Sequence, residues 1–142
     1  IEDLIAQGVD GIMITPSNSS GVLGAIEQAR SQGIVVVALD TATDPEDAVD
    51  ATFATDNFEA GRLQGAYVRA ALGDEEPRLI MLDGTAGGTV DTFRHDGFLE
   101  GFGLEEGDPA IVGMENTQGD QNTAQTAMEN LLQSSPDVNA VY

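Results

Sequence analysis

Asp40 is the residue of this chain best placed to hold a small molecule. It follows Ile34-Val35-Val36-Val37-Ala38-Leu39, the strongest strand pattern present, so its carboxylate is set at the carboxyl edge of a strand. A carboxylate accepts hydrogen bonds in pairs, which suits adjacent hydroxyls on one ligand. A turn residue capping its own backbone has the same sequence signature, and position alone leaves both readings open. Arg94 is the second candidate, early in the helical stretch Thr92-Phe93-Arg94-His95-Asp96-Gly97-Phe98. A guanidinium offers a fixed fork of donors that bridges hydroxyl or carboxylate oxygens. The plainer reading is an exposed arginine paired with one of many nearby acids.

Other chemistry finds little support. The loop Gly84-Thr85-Ala86-Gly87-Gly88-Thr89 could cradle a phosphate through backbone donors, but it lacks the Walker lysine and the GxGxxG spacing. A tight loop before a helix is the expectation there. His95 is the chain's one histidine and cysteine is absent, so neither a zinc site nor a disulfide framework is expected. A partly exposed helical histidine is the expectation for it. Asp40, Asp44, Asp47 and Asp50 suggest calcium, yet the EF-hand spacing and its central glycine are missing. No metal and no cofactor is expected. Asn18-Ser19-Ser20 fits a glycosylation acceptor, a short pattern of little weight. Glu75-Glu76 reads as a solvated loop.

Charge narrows the partners. The chain has 142 residues, with 25 acids against 5 bases, all of them arginine, and a net charge of −20. Such a surface repels nucleic-acid phosphates and anionic membranes. A dense carboxylate surface also keeps a protein soluble in strong salt, so a halophilic or salt-tolerant source is expected. The hydrophobic share of 41% permits a packed core, and no apolar run reaches transmembrane length.

The elements that must position these residues alternate along the chain. Strand patterns lie at 9–15, 34–39, 51–55, 78–82, 110–114 and 138–142, and helical patterns at 19–31, 58–72, 90–102 and 120–132. This alternation predicts an α/β architecture with parallel sheets. The continuous run at 34–39 predicts a strand buried on both faces, and 51–55 reads as a short buried strand. The helix at 120–132 is expected to turn Ala124, Ala127, Met128, Leu131 and Leu132 inward. Ligands of open parallel sheets bind beyond the carboxyl ends of strands. That rule selects Thr15-Pro16-Ser17-Asn18, Asp40-Thr41, Asp83-Gly84 and Glu115-Asn116. The first residues sit inside an amphipathic pattern and the last inside a strand pattern, so both ends are expected to continue.

The segment Ala51-Thr52-Phe53-Ala54-Thr55-Asp56-Asn57, with Gly61 after it, combines a strand, a helix cap and a glycine-containing helix. With Gly11 to Pro16, Gly33 to Asp40, Gly84 to Gly97, Asp120 to Leu132 and Ser135 to Tyr142, in that order and spacing, the chain resembles the ribose-type periplasmic sugar-binding proteins, class I solute-binding proteins of ABC transporters. The resemblance implies portions of two α/β parallel-sheet lobes joined by crossovers, with a sugar held in the cleft between them. Residues 1–55 would be the later part of the N-terminal lobe, ending in a crossover strand, and 56–142 the earlier part of the C-terminal lobe. Asp40 looks like the family's sugar-binding Asp, and Arg94 like its Arg from the other lobe. Thr41 stands where ribose binders have a second Arg, and Gly119 where many members place a stacking aromatic ring. Thr15 completes the implied ligand-binding set. The family's opening strand with its aromatic pair, and its later Asn-Asp segment with the return crossovers, have no counterpart in these residues.

The implied function is binding of a monosaccharide-like solute, hinge closure and delivery to the membrane permease of an ABC-type uptake transporter, with no enzyme chemistry. The implied location is periplasmic or extracellular, with a lipid anchor on a preceding N-terminal segment as one route. The effector domain of a sugar-responsive LacI-type transcription regulator shares the fold, and an upstream helix-turn-helix would select it. A small α/β enzyme would need Asp40 and His95 to meet in a pocket. A sheet without its opening strand leaves an apolar edge and face uncovered, so self-association of these residues alone is expected.

Overall fold

The computed structural model describes residues 1–84 and 87–142; Thr85-Ala86 of the glycine-rich loop lie outside the described residues. Helices and strands alternate as α1 (Glu2–Ala6), β1 (Gly11–Ile14), α2 (Leu23–Ser31), β2 (Val35–Leu39), β3 (Ala51–Phe53), α3 (Asn57–Leu72), β4 (Leu79–Asp83), α4 (Thr89–Phe102), β5 (Ile111–Asn116), α5 (Gln121–Ser134) and β6 (Ala140–Val141). The chain divides into two compact units, residues 1–55 with 87–92 and residues 56–86 with 93–142. Each holds a three-stranded sheet, ordered β1-β2-β3 in the first and β5-β4-β6 in the second. Every strand pair is parallel, as the alternating pattern predicts.

In the first unit the pleat sends alternate side chains to opposite faces. Ile12, Val36 and Ala38 pack with Ile26 and Ala29 of α2 and Ile5 of α1. Helix α2 begins at Leu23, four residues after the expected start. Asn18 Oδ1 accepts from the Ser20 and Gly21 amides at 3.2 and 2.7 Å, closing a polar turn first. Gly33, at φ +80°, ends the turn after α2, where a side chain would be strained.

The other face corrects the expectation of a strand buried on both sides. Met13, Val35 and Phe53 are 76, 53 and 67% exposed. The register pairs Met13 with Val37 and Phe53 with Leu39, so these residues share the face opposite the helices. The short strand at 51–55 is likewise only partly buried, and it ends at Phe53. Contiguous apolar surface of this kind drives association. A polypeptide of residues 1–142 is therefore expected to self-associate, with light scattering giving a mass above the monomer at micromolar concentration. A monodisperse monomer would show that this face is stable in water.

The second unit is centred on Leu79, Met81, Phe98, Leu99, Phe102 and Ala140. Asp56 caps α3 by accepting from the Glu59 amide at 3.0 Å, and Asp120 caps α5 by accepting from the Thr123 amide at 2.8 Å. Helix α5 is less buried than its pattern suggests: no residue in it is fully buried, and Leu132 is exposed. Leu131 does reach the sheet, lying against Gly113 of β5.

Helices α3 and α4 approach to backbone contact through paired glycines. A Cβ at Gly61 or Gly65 would overlap the carbonyl of Arg94 or Phe98; one at Gly97 or Gly101 would overlap the carbonyl of Phe58 or Arg62. Both helices carry these glycines four residues apart, which puts them on one stripe. Close approach also permits Cα–H···O contacts between the helices. This stripe fixes the height and rotation of α4 against α3.

Candidate functional site

At the carboxyl edge of the first sheet, Thr15 lies one residue beyond β1, and Asp40 and Thr41 lie directly beyond β2. The register Ile14 to Ala38 brings both strand ends to the same edge. Asp40 has φ +66°, a left-handed backbone uncommon for any residue but glycine. The Thr41 amide donates to the Leu39 carbonyl at 2.7 Å, making Asp40 the centre of a three-residue turn, and the Asp40 amide donates to the Phe53 carbonyl at 2.8 Å. Such a backbone costs on the order of 1–2 kcal/mol, and Asp tolerates it better than most residues. The Asp40 carboxylate is exposed and accepts no hydrogen bond or ion pair among the described residues. It does not cap its own turn. Thr41 is buried and Thr15 exposed.

The neighbouring acids are differently occupied. Asp50 accepts from the Val36 amide at 2.8 Å and pairs with Arg30 Nη2 at 3.1 Å. The Val36 hydrogen bond, chiefly, holds its carboxyl below the usual range against the opposing effect of burial, with the charge and hydrogen bond of Arg30 adding to it. Among the described residues no group of three His, Cys, Asp or Glu side chains could hold a metal ion.

In the second unit, Arg94 is the sixth residue of α4, and its Nε donates to Asn57 Oδ1 at 2.9 Å. Asn57 is the first residue of α3 and is buried, so the glycine contact between the helices sets this pair. Arg30, Arg62 and Arg78 each pair with a carboxylate, and Arg69 donates to the Gly73 and Glu75 carbonyls. Among the described residues no carboxylate lies within ion-pair distance of Arg94. A neutral amide thus orients the guanidinium without neutralising it. The local sequence marks Asn57 only as part of a helix cap; its pairing with Arg94 is not legible there, because the partner lies 37 residues away.

Gly119 sits in the loop before α5 at φ +66°, beside Gln118 at φ +56°. That loop is tied to the end of β4: the Thr117 amide and hydroxyl both donate to the Asp83 carbonyl at 2.8 Å. His95, expected to be a partly exposed helical residue, lies in α4 with its side chain 14% exposed, between two acids. Its Nδ1 contacts Asp83 Oδ1 at 2.8 Å and its Nε2 contacts Glu106 Oε2 at 2.8 Å.

The sequence matches the family described as Periplasmic binding protein domain over residues 1–142. The chain belongs to that family. It is 32% identical to the ribose import binding protein RbsB of Bacillus subtilis over 142 residues, covering 100% of this chain and 45% of that protein. It superimposes on an ABC transporter solute binding protein from Mycobacterium smegmatis, solved with bound glycerol, with TM-score 0.83 and 32% identity, covering 99% of this chain and 48% of that one. A second Mycobacterium smegmatis structure, in complex with β-D-fucofuranose, matches with TM-score 0.87 and 27% identity over 99% of this chain and 47% of that one. The chain spans about half the length of these proteins.

Proposed function

We propose that this chain is part of a periplasmic or extracellular solute-binding protein that holds a monosaccharide-like ligand and delivers it to the membrane permease of an ABC-type uptake transporter. The observation that carries the reading is Arg94, a guanidinium oriented by Asn57 and left without an acidic partner among the described residues in a chain of 25 acids and 5 bases. A cation in such surroundings keeps donors for a neutral polyol, which brings no charge of its own. Asp40 supports it from the first unit, with a free carboxylate on a strained turn at a sheet's carboxyl edge. The names of the relatives above favour an import protein over a regulator's effector domain.

Residues 1–55 are read as the later part of the N-terminal lobe and 56–142 as the earlier part of the C-terminal lobe. Asp40, Thr41 and Thr15 would act from the first, Arg94 and Gly119 from the second. The work is binding and release, with no covalent step. Thr41 and Gly119, lacking a guanidinium and a ring, point away from ribose itself toward another sugar. The test is calorimetric titration of the full-length protein with D-ribose, D-allose, D-galactose, L-arabinose and glycerol. Micromolar or tighter binding of one sugar is expected, and absence of binding across the panel would defeat the reading.

We also read the acidic surface as an adaptation to salt. At net −20 the folded chain repels itself, and salt screens that repulsion. The unfolding midpoint is expected to rise steadily from 0.1 to 2 M KCl, well past the range in which a neutral surface responds. A flat profile would leave the acidic surface a matter of solubility alone.

A further inference from the structure

We infer that His95 is a positioning residue that works as an imidazolium, clamped between Asp83 and Glu106, and that it makes the setting of Arg94 and hence solute affinity depend on pH. The affinity part rests on the binding reading above; the clamp does not.

The geometry carries the inference. Ionised carboxylates only accept hydrogen bonds. His95 Nδ1 lies 2.8 Å from Asp83 Oδ1 and Nε2 lies 2.8 Å from Glu106 Oε2, so both contacts are hydrogen bonds only when both ring nitrogens carry protons. The neutral ring would turn a lone pair toward one carboxylate and lose that contact. The His95 side chain is 14% exposed, Asp83 19% and Glu106 66%, so Glu106 is the partner free to swing into water. Burial alone would lower the pKa of the ring; the hydrogen bonds to Asp83 and Glu106 and their charges outweigh it and raise the pKa above its ordinary value.

Among the described residues no cation competes for the ring. Asp83 ends β4, Glu106 lies between α4 and β5, and Tyr142, after β6, meets the ring edge-on at 6.1 Å. On α4 itself the charged neighbours are Arg94 and Asp96 beside it and Asp91 one turn earlier. Arg94 points to Asn57.

The clamp ties three pieces together. Asp83 offers its side chain to His95, while its carbonyl accepts from the Thr117 amide and hydroxyl at 2.8 Å. Helix α4, the end of β4 and the loop carrying Gly119 are thereby joined through Asp83, whose partner His95 is adjacent in sequence to Arg94. With a raised folded-state pKa, the clamp's stabilisation is complete below the unfolded value of about 6.5 and is lost as pH rises through the folded value. Solute affinity should follow the same sign. By linkage, sugar binding should in turn raise the pKa of His95.

The experiment is imidazole and guanidinium 15N NMR of the full-length protein from pH 5 to 9, beside His95→Gln and Glu106→Gln, with calorimetry of the sugar that binds best in the panel above. The His95 resonances are assigned by their loss in His95→Gln. Both ring nitrogens should be protonated at pH 6, with the transition above 6.5 and shifted down in Glu106→Gln. The Arg94 Nε resonance should move with that transition in wild type and stay flat in His95→Gln. Sugar affinity should fall about five- to tenfold through the same transition, and His95→Gln should abolish that pH dependence. A ring transition at or below 6.5, or an Arg94 signal indifferent to it, overturns the inference. Failure of every sugar to bind defeats the functional reading alone, because the ring and guanidinium signals still decide the clamp.

Discussion

Asp40→Ala and Arg94→Ala in the full-length protein are each expected to weaken sugar binding by roughly 10- to 100-fold, because a hydrogen bond to a charged group contributes about 1.5–3 kcal/mol. Asp40→Asn should cost less, since one acceptor oxygen remains. The backbone at Asp40 supplies a control. Its φ of +66° strains alanine more than aspartate, so Asp40→Ala would lower stability as well as affinity. Asp40→Gly removes the strain and the carboxylate together. It should therefore be at least as stable as wild type by thermal melt and bind sugar as weakly as Asp40→Ala. Calorimetry separates the outcomes: unchanged affinity in Asp40→Gly removes Asp40 from the site, and unchanged affinity in Arg94→Ala removes Arg94. Asn57→Ala should have a smaller effect of the same sign, because it frees the guanidinium to wander without removing it.

Gly65→Ala and Gly97→Ala are expected to be among the most destabilising single-methyl changes in the chain. A Cβ at either position would overlap a backbone carbonyl of the facing helix, Phe98 for Gly65 and Phe58 for Gly97. Backbone cannot turn aside as a side chain can, so α3 and α4 must separate and the Phe98 core must loosen with them. Overpacking of this kind costs about 1–3 kcal/mol and sometimes more, or a melting midpoint lower by roughly 5–20 °C in a unit of this size. Gly24→Ala is the matched contrast. Gly24 lies inside α2 with nothing within 4 Å of its would-be Cβ. Relief of glycine's backbone entropy should make that variant more stable by about 1 kcal/mol. Equal behaviour of Gly65→Ala and Gly24→Ala would mean that the helices are not held at backbone contact. Because Arg94 and Asn57 lie on these two helices, Gly97→Ala is also expected to weaken sugar binding in whatever fraction remains folded.

Local pattern was enough to find the elements. The run at 34–39 could only be a strand, and Asp56 and Asp120 announced helix starts that the structure places there, because a cap is a contact between residues three apart. The alternation of strands and helices likewise implied parallel sheets, since a parallel pair needs a crossover. Ends were less legible where a polar side chain intervened, as Asn18 does ahead of α2. The site was legible in part. The position of Asp40 follows from the strand before it, but its left-handed backbone and uncapped carboxylate depend on hydrogen bonds to Leu39 and Phe53.

Composition and periodicity by themselves determined the α/β class, the acidic surface, and which residues stand at strand ends, for these depend on neighbours in sequence. Tertiary structure alone decided which polar groups meet. Arg94 finds Asn57 across 37 residues, and His95 finds Asp83 and Glu106 from opposite directions along the chain. It also decided that β2 is fully buried on one face only, and that four glycines are needed for closeness and not for turning. A glycine permits a positive φ or admits another backbone, and the letter in the sequence is the same for both. Only the packing of α3 against α4 tells the two apart.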